Sequence, residues 1–307
     1  MAAGARRRWS VRIAAVHTDP PGRRAVLTSA DDAVAAIPDG AVVGLGGAVT
    51  AGHPMTLVRA LARSGVRDLT LVAVTGGIEV DLLIACGCVS KVAGAYVGVE
   101  SVAGVGPVFR RAVEAGEVEV IDLDEAHCVM GLRAAGHGLP FLPWRGGVGT
   151  DLTVVNPSLV AFEDPIRGEP LIAVPALELD VALIYAETAD AYGNAQVVGT
   201  GAMDQLLGNA AGRVIVQSDR IVPTETIRAQ PERTWYWADT VVVHAPFGTH
   251  PYSNAGMIAD QAHLAEFVAA ARGDDLPGWL ERYVHAPATH EDYLEAIGIR
   301  RLVSLLV

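Results

Sequence analysis

Hydrophobic and polar positions change period repeatedly along this chain, and each change predicts an element. Apolar β-formers from Ala41 to Leu45 predict a strand buried on both faces. Gly44, Gly46 and Gly47 end it, where backbone must turn sharply or come close to something. Met55, Leu57, Val58, Leu61 and Ala62 then make one apolar helical face, closed by Gly65. Pro54 suits the first position of that helix, because its missing N–H would have had no partner there. Asp68 to Val74 is a strand, 79–85 a helix and Val89 to Val97 a strand. A helix from Pro107 to Glu114, a strand from Glu117 to Ile121 and a helix capped by Asp124 and running to about Gly136 follow. Upstream, Ser29 with Asp31 and Asp32 caps a short helix that Pro38-Asp39-Gly40 closes. This alternation predicts an α/β fold: an open, mostly parallel sheet with helices on both faces.

The second half is less regular. Gly146, Gly147 and Gly149 make a turn, and 151–168 reads as loop. Strands are expected at Leu171–Val174, Val181–Ala186, Ala195–Val198, Arg213–Gln217 and Thr240–His244, with a helix at 201–211. Helical segments separated by Gly273, Pro277 and Pro287 finish the chain from Ile258 onward. With no repeat and no low-complexity linker, residues 25–307 read as one domain with a helical C-terminal appendage from about 258. Residues 1–24 read as a disordered extension.

Composition narrows the partners. With 51% apolar residues, the 307-residue chain has ample material for a core, yet no apolar run reaches the ~18 residues of a membrane helix. A net charge of −12 argues against nucleic acid or an anionic membrane as partner. Cys86, Cys88 and Cys128 are sparse and odd in number, which suits a reducing cytoplasm. Lys91 is the sole lysine, so Schiff-base chemistry would have to use it, and it reads as the solvated start of a strand.

A strand, a glycine loop and a helix N-terminus in this order can hold an anion or an oxyanion, since backbone donors and the helix dipole face one space. Two familiar versions are excluded. After Gly44-x-Gly46 the third dinucleotide glycine would fall at Val49, and no Gly-Lys-Ser/Thr follows. On this stretch alone, a tight turn without a ligand stays equally open.

Several stretches together resemble the A (alpha) subunit of family I coenzyme A transferases, nearest the glutaconate CoA-transferase type. They are Ile37-Pro38-Asp39-Gly40, Gly46-Gly47, Pro54-Met55 with Arg59, and Gly98-Val99-Glu100. Gly106-Pro107-Val108-Phe109-Arg110-Arg111, Leu139-Pro140-Phe141-Leu142-Pro143, Gly193-Asn194 and His250-Pro251 complete the set. The resemblance spans roughly residues 29–270 and rests on the order and spacing of the motifs. It implies a CoA-transferase-like subunit that pairs with a B (beta) subunit, whose glutamate attacks an acyl-CoA thioester and carries CoA to an acceptor carboxylic acid. The coenzyme A thioester is then a substrate, with no permanently bound cofactor and no metal. Gly46 and Gly47 would supply N–H groups to an oxyanion or phosphate. One departure is Gly52-His53, where relatives often carry arginine or lysine before the loop proline.

The remaining candidates each have a plain alternative. Glu125 follows Asp124 at a helix start, where acids are favoured by the dipole alone. The resemblance also matches this pair to the essential acid of a ring-opening hydrolase of steroid degradation, where a glutamate would be general base to water. Glu100 follows a strand and a glycine, either as a ligand contact or as a partner of Arg110 or Arg111. His250 stands in a loop expected near a subunit interface, as a CoA or oxyanion contact. His127 and Cys128, adjacent on a helix, point ~100° apart and make no dyad. Cys86-x-Cys88 lacks the spacing of a zinc pair and reads as buried thiols. A sugar-phosphate-binding sensor or isomerase on a similar fold is the rival from another class.

Overall fold

The computed structural model describes residues 24–99, 101–199 and 201–307. Its main sheet has eight parallel strands: β1 (Leu27–Thr28), β2 (Val42–Leu45), β3 (Leu69–Val72), β4 (Val89–Gly94), β5 (Glu119–Asp122), β6 (Leu179–Ala189), β7 (Ala211–Ile221) and β8 (Thr240–His244). They lie in the order β1-β8-β7-β6-β2-β3-β4-β5. Ala195–Gln196 adds to the end of β6 in antiparallel sense, and Thr234–Trp235 adds to it in turn. The sheet is therefore mostly parallel.

The order contains a reversal that positions the site. From β2 the chain winds outward to β5, then returns to lay β6 against the other side of β2 and winds outward to β8. Val43, Gly44 and Leu45 pair with Val181, Ala182 and Leu183 across that junction. Open α/β sheets bind ligands beyond the carboxyl ends of the strands at such a switch. The glycine loop leaves β2 at this point.

Two apolar clusters cover the two faces. Helices α1 (Ala30–Val34), α2 (Met55–Ser64), α3 (Ile78–Ala85) and α4 (Pro107–Glu114) supply one, joined by C-terminal residues such as Phe267, Trp279 and Tyr293. Helices α5 (Glu125–Gly136) and α6 (Ala202–Ala210) supply the other through Cys128, Leu132 and Leu207 against Ile184 and Val216. The caps read from sequence are present: Ser29 accepts from the Asp32 amide and Asp124 from the His127 amide. Gly65 adopts φ 81° at the end of α2, a conformation that favours glycine.

Two expectations are corrected. Residues 151–168 are more than loop, since Leu152–Val155 forms a helical turn and Val160–Glu163 a strand. That strand joins Phe141–Trp144 and the expected strand at Leu171–Val174, which runs Pro170–Pro175, in a separate antiparallel sheet; the two unread strands are largely exposed and carry too weak an apolar alternation to stand out. Pro54 caps α2 from outside instead of occupying its first position. The helical appendage expected from about 258 is present and opens with α7 (Gln261–Arg272), whose start is set by the Asp260 side chain accepting the His263 amide. The expected disordered extension falls, except for Arg24, outside the described residues.

Candidate functional site

The glycine loop is held from several directions. The Gly46 amide continues the ladder by donating to the Leu183 carbonyl at 2.9 Å. The Gly47 amide donates to Asp204 Oδ1, from α6, at 2.7 Å. The two donors that the sequence offered to an oxyanion are thus engaged within the chain. Beyond them the backbone reverses in a tight turn, with Ala48 and Ala51 exchanging hydrogen bonds of 2.9 and 3.0 Å. Val49, at φ 57°, stands exposed at the tip. Ser253 fixes the far side, donating its N–H and its hydroxyl to the Thr50 carbonyl and accepting the Gly52 amide. The Val49 and Thr50 amides make no hydrogen bond to another described residue. Amides without a partner among the described residues therefore lie two to four residues beyond the glycines read from sequence.

Behind the loop lies a buried charged group. His53, 1% exposed, places Nδ1 3.2 Å from Glu79 Oε1. Glu79 also accepts the Gly77 amide at 2.5 Å and the Tyr252 hydroxyl at 3.0 Å. Burial alone would raise Glu79, but the adjoining His53 and the Gly77 amide hold it below its ordinary value. Asp204 is buried too, with the Gly47 amide as its hydrogen bond, and burial pushes it up to about 7. Two buried carboxyls within one group are shifted in opposite directions, because burial is outweighed at Glu79 by the adjoining His53 and is not outweighed at Asp204.

Beside the loop, at the carboxyl ends of β6, β7 and β8, opens a cavity of about 440 Å³. Val198, Pro246, Phe247 and Met257 give it apolar walls, with Glu187, Asp219, Arg220 and Asn254 as polar groups. Glu187 accepts the Val198 amide at 2.8 Å. Asp219 accepts the Tyr185 hydroxyl at 2.5 Å and the Asn254 amide group at 3.0 Å. Burial raises both carboxyls above their ordinary values. A larger opening of about 640 Å³ lies between α1 and the C-terminal end of α2. It faces away from the carboxyl edge of the sheet, so the smaller cavity is the candidate.

The other predicted residues separate. Glu125 stands exposed in the first turn of α5, after the sheet-edge strand β5, and its side chain pairs with no described residue. Glu100 lies outside the described residues. His250 is corrected: it is fully buried, its Nδ1 is 2.7 Å from the Tyr293 hydroxyl and its Nε2 3.1 Å from Asp260 Oδ2. With both ring nitrogens engaged in the interior, it has no face for a ligand. Cys88 and Cys128 are buried, and desolvation raises all three thiols, to about 11 for Cys88 and about 12 for the others. Lys91 pairs with Glu119 at the surface. No group of three or more His, Cys, Asp or Glu among the described residues is arranged to hold a metal ion.

Sequence reasoning missed Asp204, Glu187 and Asp219. Asp204 was hidden because an acid in a first helical turn is ordinary. Glu187 did carry a signal, being a lone acid inside the apolar run from Val181 to Ala189.

Comparison with known proteins agrees with this geometry. Residues 27–243 match the family model described as coenzyme A transferase. A protein of Archaeoglobus fulgidus is 38% identical over 88% of this chain, and the match spans 62% of that relative's length. The IpdA subunit of a cholesterol ring-cleaving hydrolase from Rhodococcus jostii is 38% identical over 72% of this chain and 78% of its own. The crystal structure of glutaconate coenzyme A-transferase from Acidaminococcus fermentans superimposes with a TM-score of 0.87 at 28% identity, covering 92% of this chain and 96% of that one. The alpha polypeptide of that enzyme is also related in sequence, 29% identical over 92% of this chain. The chain therefore belongs to the coenzyme A transferase family, as an A (alpha) subunit related to that of glutaconate CoA-transferase.

Proposed function

We propose that this chain is the A (alpha) subunit of a heteromeric enzyme that moves coenzyme A between an acyl-CoA and a carboxylic acid. The observation that carries the reading is the loop at the β2/β6 switch, braced from behind and presenting the Val49 and Thr50 amides at its tip. Amides fixed in this way stabilise an oxyanion without reorganising as charge develops. In this reading the thioester carbonyl oxygen sits against those amides. A glutamate supplied by the B (beta) subunit then attacks the carbonyl carbon and expels CoA as thiolate, leaving an acyl-glutamyl anhydride. The thiolate returns to the glutamyl carbonyl and releases the first acid. The acceptor carboxylate then reverses both steps. Gly46 and Gly47 shape the loop, and the 440 Å³ cavity beside it borders the acyl group. No helix among the described residues is long and apolar enough to cross a membrane.

The test is to measure CoA transfer by the purified chain, first by itself and then in complex with its candidate beta partner. The isolated chain is expected to be inactive, and the complex to yield a borohydride-trappable glutamyl-CoA adduct on the beta partner. Full activity of the isolated chain would overturn the reading.

A second reading has its own observation. Glu125 is exposed at a helix N-terminus without a side-chain partner among the described residues, and the similarity to a ring-cleaving hydrolase is substantial. As a general base to water it would make this chain half of a hydrolase of cyclic 3-oxoacyl-CoA thioesters. Removing such a base costs ~10²–10⁴-fold in rate. Glu125→Gln in the complex separates the two: loss on that scale with no trappable adduct establishes hydrolysis, and retained transfer with an adduct establishes the transferase.

A further inference from the structure

Gly47 is gripped on two sides by groups distant in sequence. On one side Asp204, 157 residues away, takes its amide hydrogen at 2.7 Å. On the other, a Cβ at Gly47 would stand 2.6 Å from the His53 ring. The adjoining glycine answers to the same carboxyl, since a Cβ at Gly46 would stand 2.3 Å from Asp204 Oδ1 and 3.0 Å from the Leu183 carbonyl oxygen. Both glycines are thus explained by what packs against them: Asp204 comes to the backbone as closely as the absence of side chains allows.

What the grip holds is not a relaxed turn. Val49 is β-branched and sits at φ 57°, a region such residues avoid. A conformation of this kind persists only where its surroundings over-determine it, and it is concentrated at functional sites. Two anchors flank the turn. Ser253 holds Thr50 and Gly52 through neutral hydrogen bonds. Asp204 holds Gly47 through a carboxyl taken out of water. Burying a carboxyl is a costly way to accept one amide hydrogen, and a neutral serine or asparagine would serve stability at less cost. Its value must lie in what it does to the loop.

We propose that Asp204 is the positioning residue of the glycine loop, holding Gly47 from behind so that the Val49 and Thr50 amides point at the thioester oxygen. The proposal rests on the functional reading above. It also carries an electrostatic consequence, because the carboxyl lies behind a loop that must accept developing negative charge in front. The titratable groups facing Asp204 are His53 from the loop, in contact with Glu79 of α3, and Glu187 from β6. His53 offsets the charge of Asp204 and Glu187 adds to it. Negative charge at the loop tip therefore favours the protonated form of Asp204, and by linkage protonation favours anion binding. Acyl-CoA should bind more weakly as pH rises through about 7, the region to which burial pushes this carboxyl.

The experiment uses the assembled complex with Asp204→Ala and Asp204→Asn, two readouts being taken on each. The first is amide hydrogen exchange of the segment 46–52 without substrate. The second is kcat and KM for acyl-CoA between pH 5.5 and 8.5. Asp204→Ala should speed exchange in 46–52 alone and lower kcat by about 10²-fold, the scale of a misplaced catalytic group, with KM little changed below pH 7 and no longer rising above it. Asp204→Asn keeps an acceptor oxygen, so it should restore the exchange pattern and much of kcat while flattening the dependence of KM on pH. Unchanged exchange in 46–52 for Asp204→Ala overturns the proposal. So does exchange quickened across the whole chain, or a pH profile that Asp204→Asn leaves unaltered. If the complex transfers no CoA, the functional reading fails by itself and the exchange measurement still decides the brace. If Asp204→Ala does not fold, Asp204→Asn carries the test through its pH profile.

Discussion

Two buried charged networks flank the carboxyl end of this sheet, and they end differently. The C-terminal one closes on itself. Asp260 is shared by His250 and Arg301, and the Arg59 guanidinium lies 3.5 Å over the Tyr293 ring and donates to the His250 carbonyl. Burial lowers Arg59 to about 10. Burial would raise Asp260, but His250, Arg301 and the His263 amide hold it well below the usual carboxylate range. The network behind the glycine loop stays open. Asp204 accepts the Gly47 amide as its hydrogen bond among the described residues, and it rises where Asp260 falls. Buried charge alone does not mark a site. A network whose carboxyl is fully paired ties α2 to the C-terminal helices, whereas one whose carboxyl has few donors holds a proton that can titrate near neutral pH.

The comparison can be broken most directly at Asp260. Replacing one partner of a buried pair leaves the other charge uncompensated, at a cost of about 3–5 kcal/mol. Asp260→Ala should lower stability by that amount in denaturant titrations, with transfer per folded complex unaltered. A large change in KM would mean that this network also serves the site. Gly46→Ala should do the reverse. Its Cβ would meet Asp204 and a backbone oxygen, an overpacking worth ~1–3 kcal/mol, and the displaced loop should lower the transfer rate by roughly 10²-fold. Kinetics and melting on the same variant check both parts.

A third test uses opposite pH slopes. Burial lowers His250 and His263, so their contribution is present above the unfolded value of about 6.5 and lost as pH falls below it. Asp204 is raised, so its contribution is complete below about 4 and lost as pH rises through about 7. Melting temperatures from pH 5 to 8 should therefore show Asp204→Asn gaining on the unmodified protein as pH rises. A constant offset would remove Asp204 from the open network. The smallest effect is expected at Lys91→Ala. Its surface pair with Glu119 is worth at most about 1 kcal/mol, and a chemical role for the sole lysine would appear as a loss of turnover that melting does not match.

Much of the fold was legible because helices and parallel strands declare themselves locally. The apolar run at 41–45 became β2, the stripe from Met55 to Ala62 became α2, and Pro107 and Asp124 marked helix starts as read. In the small antiparallel sheet only Pro170–Pro175 was legible, as the strand at Leu171–Val174; Phe141–Trp144 and Val160–Glu163 were not, because they are largely exposed and Phe141–Trp144 carries a proline. In the candidate site, the glycine loop was legible, but that the Gly46 and Gly47 amides are engaged within the chain was not. Nothing near Gly47 in sequence announces Asp204. His250 misled because a histidine before a proline in a loop looks the same whether it meets a ligand or, as here, Tyr293 and Asp260.

The sequence by itself determined the order of strands and helices, their caps, and the glycine loop between β2 and α2. These depend on side-chain periodicity and on hydrogen bonds that reach three or four residues. Tertiary structure decided which face of that loop is engaged and which is left open. The Gly47 amide meets Asp204 across 157 residues and the Tyr252 hydroxyl meets Glu79 across 173. Contacts at such separations are set by how β6 returns beside β2, and no local pattern encodes that return.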